Sequence, residues 1–232
     1  MLEVMFVVNR WIGICFILAG VIIGSFNYVE WRVGRSAAKE MTKDEIKQYK
    51  EGDEQVQAKF PESNIIEQKP SSQVHHIQGE KVAMLVVPTV GQKFSVYWGA
   101  DQKVLKKGVG MYISPFTTTP NGGGHTVLSG HRDTVFYRLD ELKENEILKL
   151  EYAGSLFTYK IKKIWITDPQ DRTVIVEKEA PTLTITTCYP FNYVGNAPKR
   201  YIIEADLLYK KESGKTVLKG NINWGYNGTS AS

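Results

Sequence analysis

Cysteine is scarce in this chain of 232 residues: only Cys15 and Cys188 occur, the first inside an apolar run and the second near a run of threonines. That excludes a disulfide-dense secreted scaffold and a multi-cysteine zinc finger. Excess charge is equally scarce. Lys and Arg number 29 against 25 Asp and Glu, a net +4 too small and too dispersed for a nucleic-acid binder. No internal repeat is visible, and 42% hydrophobic residues exclude a chain that is disordered throughout. The one glycine-rich stretch, PNGGG at 120–124, lacks the Lys-Ser/Thr partner of a phosphate-binding loop. Of the four histidines, the adjacent pair His75 and His76 lies in polar sequence without the spacing of metal ligands. No metal site and no cofactor are expected.

A long hydrophobic run is present. From Trp11 to Val29 the chain carries no charge, and as a helix this stretch covers about 28 Å, close to the hydrocarbon thickness of a bilayer. A membrane anchor over residues 1–35 is therefore expected, with Cys15 an inert apolar residue in lipid. A cleaved secretory signal is the rival, but the run is long for one and Ser36-Ala37-Ala38 is a poor, late cleavage site. Arg32, Arg35 and Lys39 follow the run whereas Arg10 precedes it, so the positive-inside count alone would keep the carboxyl side cytoplasmic. Long domains translocate largely regardless of such charges.

Residues 36–80 read as a polar linker, because Met41, Ile46, Tyr49, Val56 and Phe60 are too sparse to enclose a core. From Val82 the texture changes to short apolar runs separated by turn signals, the pattern of an all-β barrel or sandwich over residues 81–209. Phe157, Tyr159 and Ile161 should share one face, with Thr158, Lys160 and Lys162 on the other and a turn at Asp168-Pro169. One short helix is expected around Arg138 to Lys143. Residues 210–232 form a polar C-terminal tail.

Within the strand from Thr182 to Cys188, Leu183 and Ile185 fall on one face and Thr184, Thr186 and Cys188 on the other. Cys188 thus projects away from the apolar face, at a strand end before Tyr189-Pro190, where a nucleophile can be reached. A thiol, with a reference pKa of roughly 8.5, needs a base or a nearby cation to react near neutral pH. His131, in LSGHRD, follows the Val127-Leu128 strand and so also stands at a strand end; His125 abuts the glycine-rich loop instead. Arg200 shares strand parity with Glu204 and Asp206, opposite Tyr201, Ile203 and Ala205. A thiolate, an imidazole able to protonate a leaving amine and a fixed cation near a developing oxyanion make an acyl-transfer site. Arg132, Asp133 and Arg172 are the other charged candidates for the thiolate's neighbourhood.

These motifs resemble those of a known family. SGHRDTVF at 129–136 and TITTCYPFNYVGNAPKRY at 184–201 resemble the His, Cys and Arg motifs of sortases, with the family's Thr-Leu-x-Thr-Cys present as Thr184-Ile185-Thr186-Thr187-Cys188. The resemblance extends over about 82–208, including VPTVGQKFSVYWGA and VLKKGVGMY, and covers the layout of an anchor followed by a domain. The continuation through Tyr189-Pro190-Phe191 and then Gly195, Ala197, Pro198, Arg200 and Tyr201 is most similar to class D sortases of Gram-positive, spore-forming bacteria.

The resemblance implies a closed eight-stranded β-barrel with short helices, and catalytic roles for Cys188, His131 and Arg200. Thr187 and Tyr189 are expected to shape the groove for substrate. Sortases cut a surface protein's C-terminal sorting signal of the LPxTG kind after its Thr and pass the acyl group to an amine of peptidoglycan or its lipid-linked precursor; class D members favour LPxTA. Both substrates lie outside the cytoplasmic membrane, which implies a single-pass protein with an extracytoplasmic catalytic domain. An extracytoplasmic cysteine peptidase using the same residues, an L,D-transpeptidase, whose motif places Gly where this chain has Thr187, and a non-enzymatic wall-binding β-domain are the alternatives.

Overall fold

The computed structural model describes residues 2–50, 75–192, 195–212 and 215–217. Val56, Phe60 and Pro70 of the expected linker, and the tail from 218 onward, lie outside the described residues. The chain begins with helix α1, Leu2–Ser36, whose stretch from Arg10 to Ser36 is long and apolar enough to cross a membrane. Its large side chains, among them Trp11, Phe16, Ile22 and Phe26, are exposed rather than packed on the rest of the protein.

Ten strands follow: β1 (Ala38–Glu40), β2 (Lys81–Val87), β3 (Gln92–Trp98), β4 (Val109–Met111), β5 (His125–Ser129), β6 (Ile147–Tyr152), β7 (Ser155–Thr167), β8 (Thr182–Tyr189), β9 (Lys199–Glu212) and β10 (Lys215–Val217). Strands β3, β2, β6, β7, β9, β8, β5 and β4 are hydrogen-bonded in that order, and the parallel pairing of β4 with β3 closes the ring. The result is the expected eight-stranded barrel. Its sheet is mixed, since β5 and β8 are also parallel. Closure removes the open edges that would otherwise template association.

Inward side chains fill the barrel. Leu85, Phe94, Val96, Met111, Leu128, Leu148, Leu150, Phe157, Tyr159, Ile161, Leu183, Ile185 and Ile203 are all essentially buried in one cluster. The β6–β7 hairpin turns on Ala153 and Gly154, both at positive φ (48° and 74°), the two-residue turn whose twist matches the strands it joins. Phe157, Tyr159 and Ile161 do share the core, but β7 is not regular: its register against β9 shifts between Thr158 and Tyr159 and again between Ile161 and Lys163. The first leaves Leu208 of β9 unpaired, and the second leaves Lys162 of β7 unpaired and resets the alternation of β7. Ile164 therefore packs against the core as Ile161 does, and Lys163, Trp165 and Thr167 pair with Glu204, Ile202 and Arg200 on the barrel's outer face.

The helix expected near Arg138 to Lys143 is a single 3-10 turn, Leu139–Glu141, in which Arg138 forms a paired ion contact with Glu141. PNGGG contains another such turn, Pro120–Gly122, and a third short helix, α3 (Gln102–Leu105), is capped by Asp101. Strand β9 runs to Glu212 and pairs with β10, so ordered sheet continues past residue 209.

The first part of the expected linker is docked on the barrel. β1 pairs antiparallel with β3, and helix α2 (43–50) follows, opened by a reciprocal cap between Thr42 and Glu45. Met41 is buried, the Tyr49 hydroxyl donates to Glu151 at 2.5 Å, and the buried Lys149 donates Nζ–H to the Tyr49 carbonyl at 2.6 Å. The few apolar residues suffice because they complete an existing core instead of building their own. Only Ala37 separates α1 from β1. At that junction a Cβ on Gly34 would lie 3.3 Å from Thr134, and the Arg35 guanidinium stacks 4.1 Å from the Tyr137 ring. Thr134 and Tyr137 belong to the loop that follows His131.

Candidate active site

Strand β8 behaves as its sequence dictates: Leu183 and Ile185 enter the core, and Thr184, Thr186 and Cys188 face outward. Cys188 is half-buried at the strand end and reduced. Opposite it in the β8–β9 ladder stands Arg200. Directly opposed residues on antiparallel strands lie on the same face about 5 Å apart at Cβ, so the two side chains start from neighbouring positions on one face. The Arg200 Nη1 donates to the carbonyls of Lys199 (3.1 Å) and Ala197 (3.5 Å), which anchors the cation at the mouth of its own loop.

His131 arrives from the other side of β8. Parallel β5 matches Ser129 with Thr186, and that register carried two residues further sets His131 level with Cys188. The neighbouring bonds hold the alignment: Gly130 N–H donates to Thr186 O (3.3 Å), and the Thr187 hydroxyl donates to Gly130 O (2.7 Å). The loop then turns back, with the N–H groups of Val135 and Phe136 both bonding the His131 carbonyl. A Cβ on Gly130 would come within 2.6 Å of the buried Phe136 ring, so glycine is required there by close approach. Arg132, considered above as a cation for the thiolate, is instead buried, and its Nη2 donates to Gly195 O at 3.0 Å. It ties the His131 loop to the loop between β8 and β9.

The two residues expected to shape a groove are differently placed. Thr187 is buried on the core side of β8 with its hydroxyl committed to Gly130, because odd-numbered positions of this strand point inward. Tyr189 is half-buried, stacked on Tyr201 and edge-on to Phe191. The peptide bond from Tyr189 to Pro190 is cis. This aromatic trio packs against the end of the core beneath the Cys188–Arg200 pair. Asp133 is exposed and Arg172 lies in the loop after β7.

Sequence reasoning passed over His125. It is 1% exposed, its Nδ1 lies 2.6 Å from Val176 O, and its Nε2 lies 2.7 Å from the Thr184 hydroxyl. Burial pushes its imidazolium down from the ordinary value, which keeps the ring neutral. The available signal was strand parity, since His125, Val127 and Ser129 share the face on which Thr186 and Cys188 lie. Among the described residues, no three His, Cys, Asp or Glu gather in a way that could hold a metal ion.

Half-buried thiol, cation and imidazole at one barrel end are an arrangement for covalent acyl transfer. Comparison with known proteins agrees with that chemistry. Residues 85–208 match the model of the sortase domain. Sortase D of Bacillus subtilis (strain 168) is 44% identical over 126 residues, 54% of this chain and 63% of its own length, so the match spans less than two thirds of that relative. The catalytic domain of B. anthracis SrtD is 63% identical with a TM-score of 0.54, covering 62% of this chain and 97% of that domain. A Clostridium perfringens sortase D5 transpeptidase is 26% identical with a TM-score of 0.51, over 57% of this chain and 82% of that one. With its barrel, its Thr-Ile-Thr-Thr-Cys strand and its match over more than half its length, the chain belongs to the sortase family.

Proposed function

We propose that this protein is a membrane-anchored class D transpeptidase that cleaves an LPxTA- or LPxTG-like sorting signal after Thr and joins the protein to a peptidoglycan amine. The observation that supports the reading is the register: Cys188 pairs with Arg200 on β9 and Thr186 with Ser129 on β5, a pairing that, carried two residues further, brings His131 level. In the first half-reaction the Cys188 thiolate attacks the Thr carbonyl, and the Arg200 guanidinium stabilises the oxyanion of the tetrahedral intermediate. Collapse breaks the peptide C–N bond as His131 gives its proton to the leaving amine, and a thioester remains. In the second half, neutral His131 takes a proton from the acceptor amine as it attacks the thioester; the new amide forms and the Cys188 thiolate departs.

The domain is read as extracytoplasmic because the sorting signals and peptidoglycan amines it would use lie outside, and the position of the anchor supports a site beside the membrane. Helix α1 passes into β1 through Ala37 alone, and its end abuts Thr134 and Tyr137 in the His131 loop. A barrel held this closely would meet substrates and lipid-linked acceptors at the membrane surface. The test is incubation of the protein with an LPxTA peptide and diaminopimelate, followed by intact-protein and product mass spectrometry. An acyl adduct on Cys188, absent in Cys188→Ala and His131→Ala, with an amide product that requires the amine, is the expected result. Cleavage without amide formation would make it a peptidase, and no adduct with LPxTA or LPxTG would overturn the sorting-signal reading.

A further inference from the structure

The loop from 168 to 181 joins β7 to β8 and folds back over the outer face on which Cys188 and Arg200 lie. Four observations show that it is clasped there. Thr184, which shares the outward parity of Cys188, is nevertheless 0% exposed, so something covers it. His125 sits between, bonded at one ring nitrogen to the loop at Val176 O and at the other to Thr184 on β8. Lys178 of the loop bonds Glu204 of β9 at 2.6 Å. A Cβ on Gly124 would lie 3.2 Å from Lys178 O, a close backbone approach, and Thr182 N–H donates to Gly124 O at 3.0 Å.

Chemistry assigns the tautomer. A carbonyl only accepts, so Nδ1 carries the hydrogen toward Val176 and Nε2 accepts from the Thr184 hydroxyl. In the neutral ring, which burial favours, both nitrogens are satisfied. The ring thus spans from the Val176 carbonyl on the loop to the Thr184 hydroxyl on β8. The Lys178–Glu204 pair is more accessible, at 25% and 15% side-chain exposure, and solvent screens its contribution.

We propose that His125 is a positioning residue, riveting the 168–181 loop to β8 so that it stands as a fixed wall of the groove through which a sorting peptide reaches Cys188. This rests on the reading of Cys188 as the nucleophile. Outward from the clasp, the paired rows Thr184–Glu204, Thr186–Ile202 and Cys188–Arg200 lead from the covered floor to the reacting thiol. A wall held in place before the peptide arrives spares the ordering cost at binding, so its loss should appear in KM and leave kcat largely intact.

The experiment uses the full chain in detergent micelles, as wild type, His125→Ala and His125→Asn; the asparagine amide keeps a donor near the Nδ1 position. Amide hydrogen exchange over 170–180 and steady-state kinetics with an LPxTA peptide are read on each. His125→Ala should exchange these amides at least about tenfold faster and raise KM about tenfold, with kcat within about threefold, and His125→Asn should recover part of both. Wild-type exchange rates in folded His125→Ala, or a fall in kcat at unchanged KM, would overturn the proposal. Should His125→Ala fail to fold, His125→Asn is judged by the same two readouts: partial loosening of the loop with a matching rise in KM supports the clasp, and wild-type values refute it. An absent wild-type acyl adduct would refute the groove's role as a peptide site, while the exchange data would still report on the clasp itself.

Discussion

Thr187 offers the sharpest separation of support from chemistry at this site. Its hydroxyl makes one bond, to the carbonyl of Gly130, immediately ahead of His131, and both the bond and the side chain are buried. Thr187→Val keeps the shape and removes the donor, leaving the Gly130 carbonyl without this partner at a cost of about 1–2 kcal/mol. For a protein of this size that corresponds to roughly 2–8 °C in Tm. Freed of this tie, Gly130 can shift, and a displacement of about 1 Å at His131 can lower the rate of acylation by up to about 100-fold. Because Thr187 is buried with its hydroxyl committed to Gly130, kcat should fall while KM holds, the opposite of the split expected at His125. Thr187→Ser retains the hydroxyl and should recover most of the rate. The assay is single-turnover formation of the Cys188 acyl adduct, normalised to folded protein, alongside thermal unfolding. A lowered Tm with unchanged acylation would refute the link between this hydroxyl and His131.

Other outcomes follow from the same geometry. Arg200→Lys should depress acylation by about 10- to 100-fold with little change in Tm, because a point charge cannot reproduce the planar donors that bond both backbone and oxyanion; unchanged kinetics would remove Arg200 from the mechanism. Gly130→Ala drives a Cβ into the Phe136 ring and should cost about 1–3 kcal/mol, readable as a lower urea midpoint at unchanged m-value. Burial lowers the pKa of His125 in the folded state below its ordinary 6.5, so the unfolded chain binds the proton more tightly. Lys178 opposes protonation and Glu204 favours it, but desolvation dominates. The stabilisation is complete above about pH 6.5 and is lost as pH falls below it. Wild type should therefore lose more stability than His125→Asn between pH 7.5 and 5.5 in urea titrations. A chain beginning near Ala58 lacks β1, Met41 and Tyr49, and should melt roughly 5–10 °C below one beginning at Ala37, which equal melting temperatures would contradict.

Much of the architecture was legible in the residues because it depends on local periodicity. The uncharged run from Trp11 to Val29 becomes an exposed apolar helix, and the alternation from Thr182 to Cys188 sends Leu183 and Ile185 inward and Cys188 outward, whatever surrounds them. The Cys, His and Arg motifs could be picked out singly for the same reason: each sits at the end of a recognisable strand.

What the sequence could not decide concerns pairing between distant segments. Nothing local in Met41, Ile46 and Tyr49 says that they dock on an existing barrel, since the surface they complete is built from β3 and β6. The bulge at Lys162 of β7 is equally silent: Ile161 and Trp165 read as one face until this extra residue against β9 turns Trp165 outward beside Ile202. Thr187 has the sequence position of a groove residue, yet strand parity and the approach of Gly130 place its hydroxyl beneath the site. His125 looks like a loop histidine until the 168–181 loop covers it. Periodicity along one strand determines which side chains face the core; only the register between strands, set by closure of the ring, decides which of the others meet at Cys188.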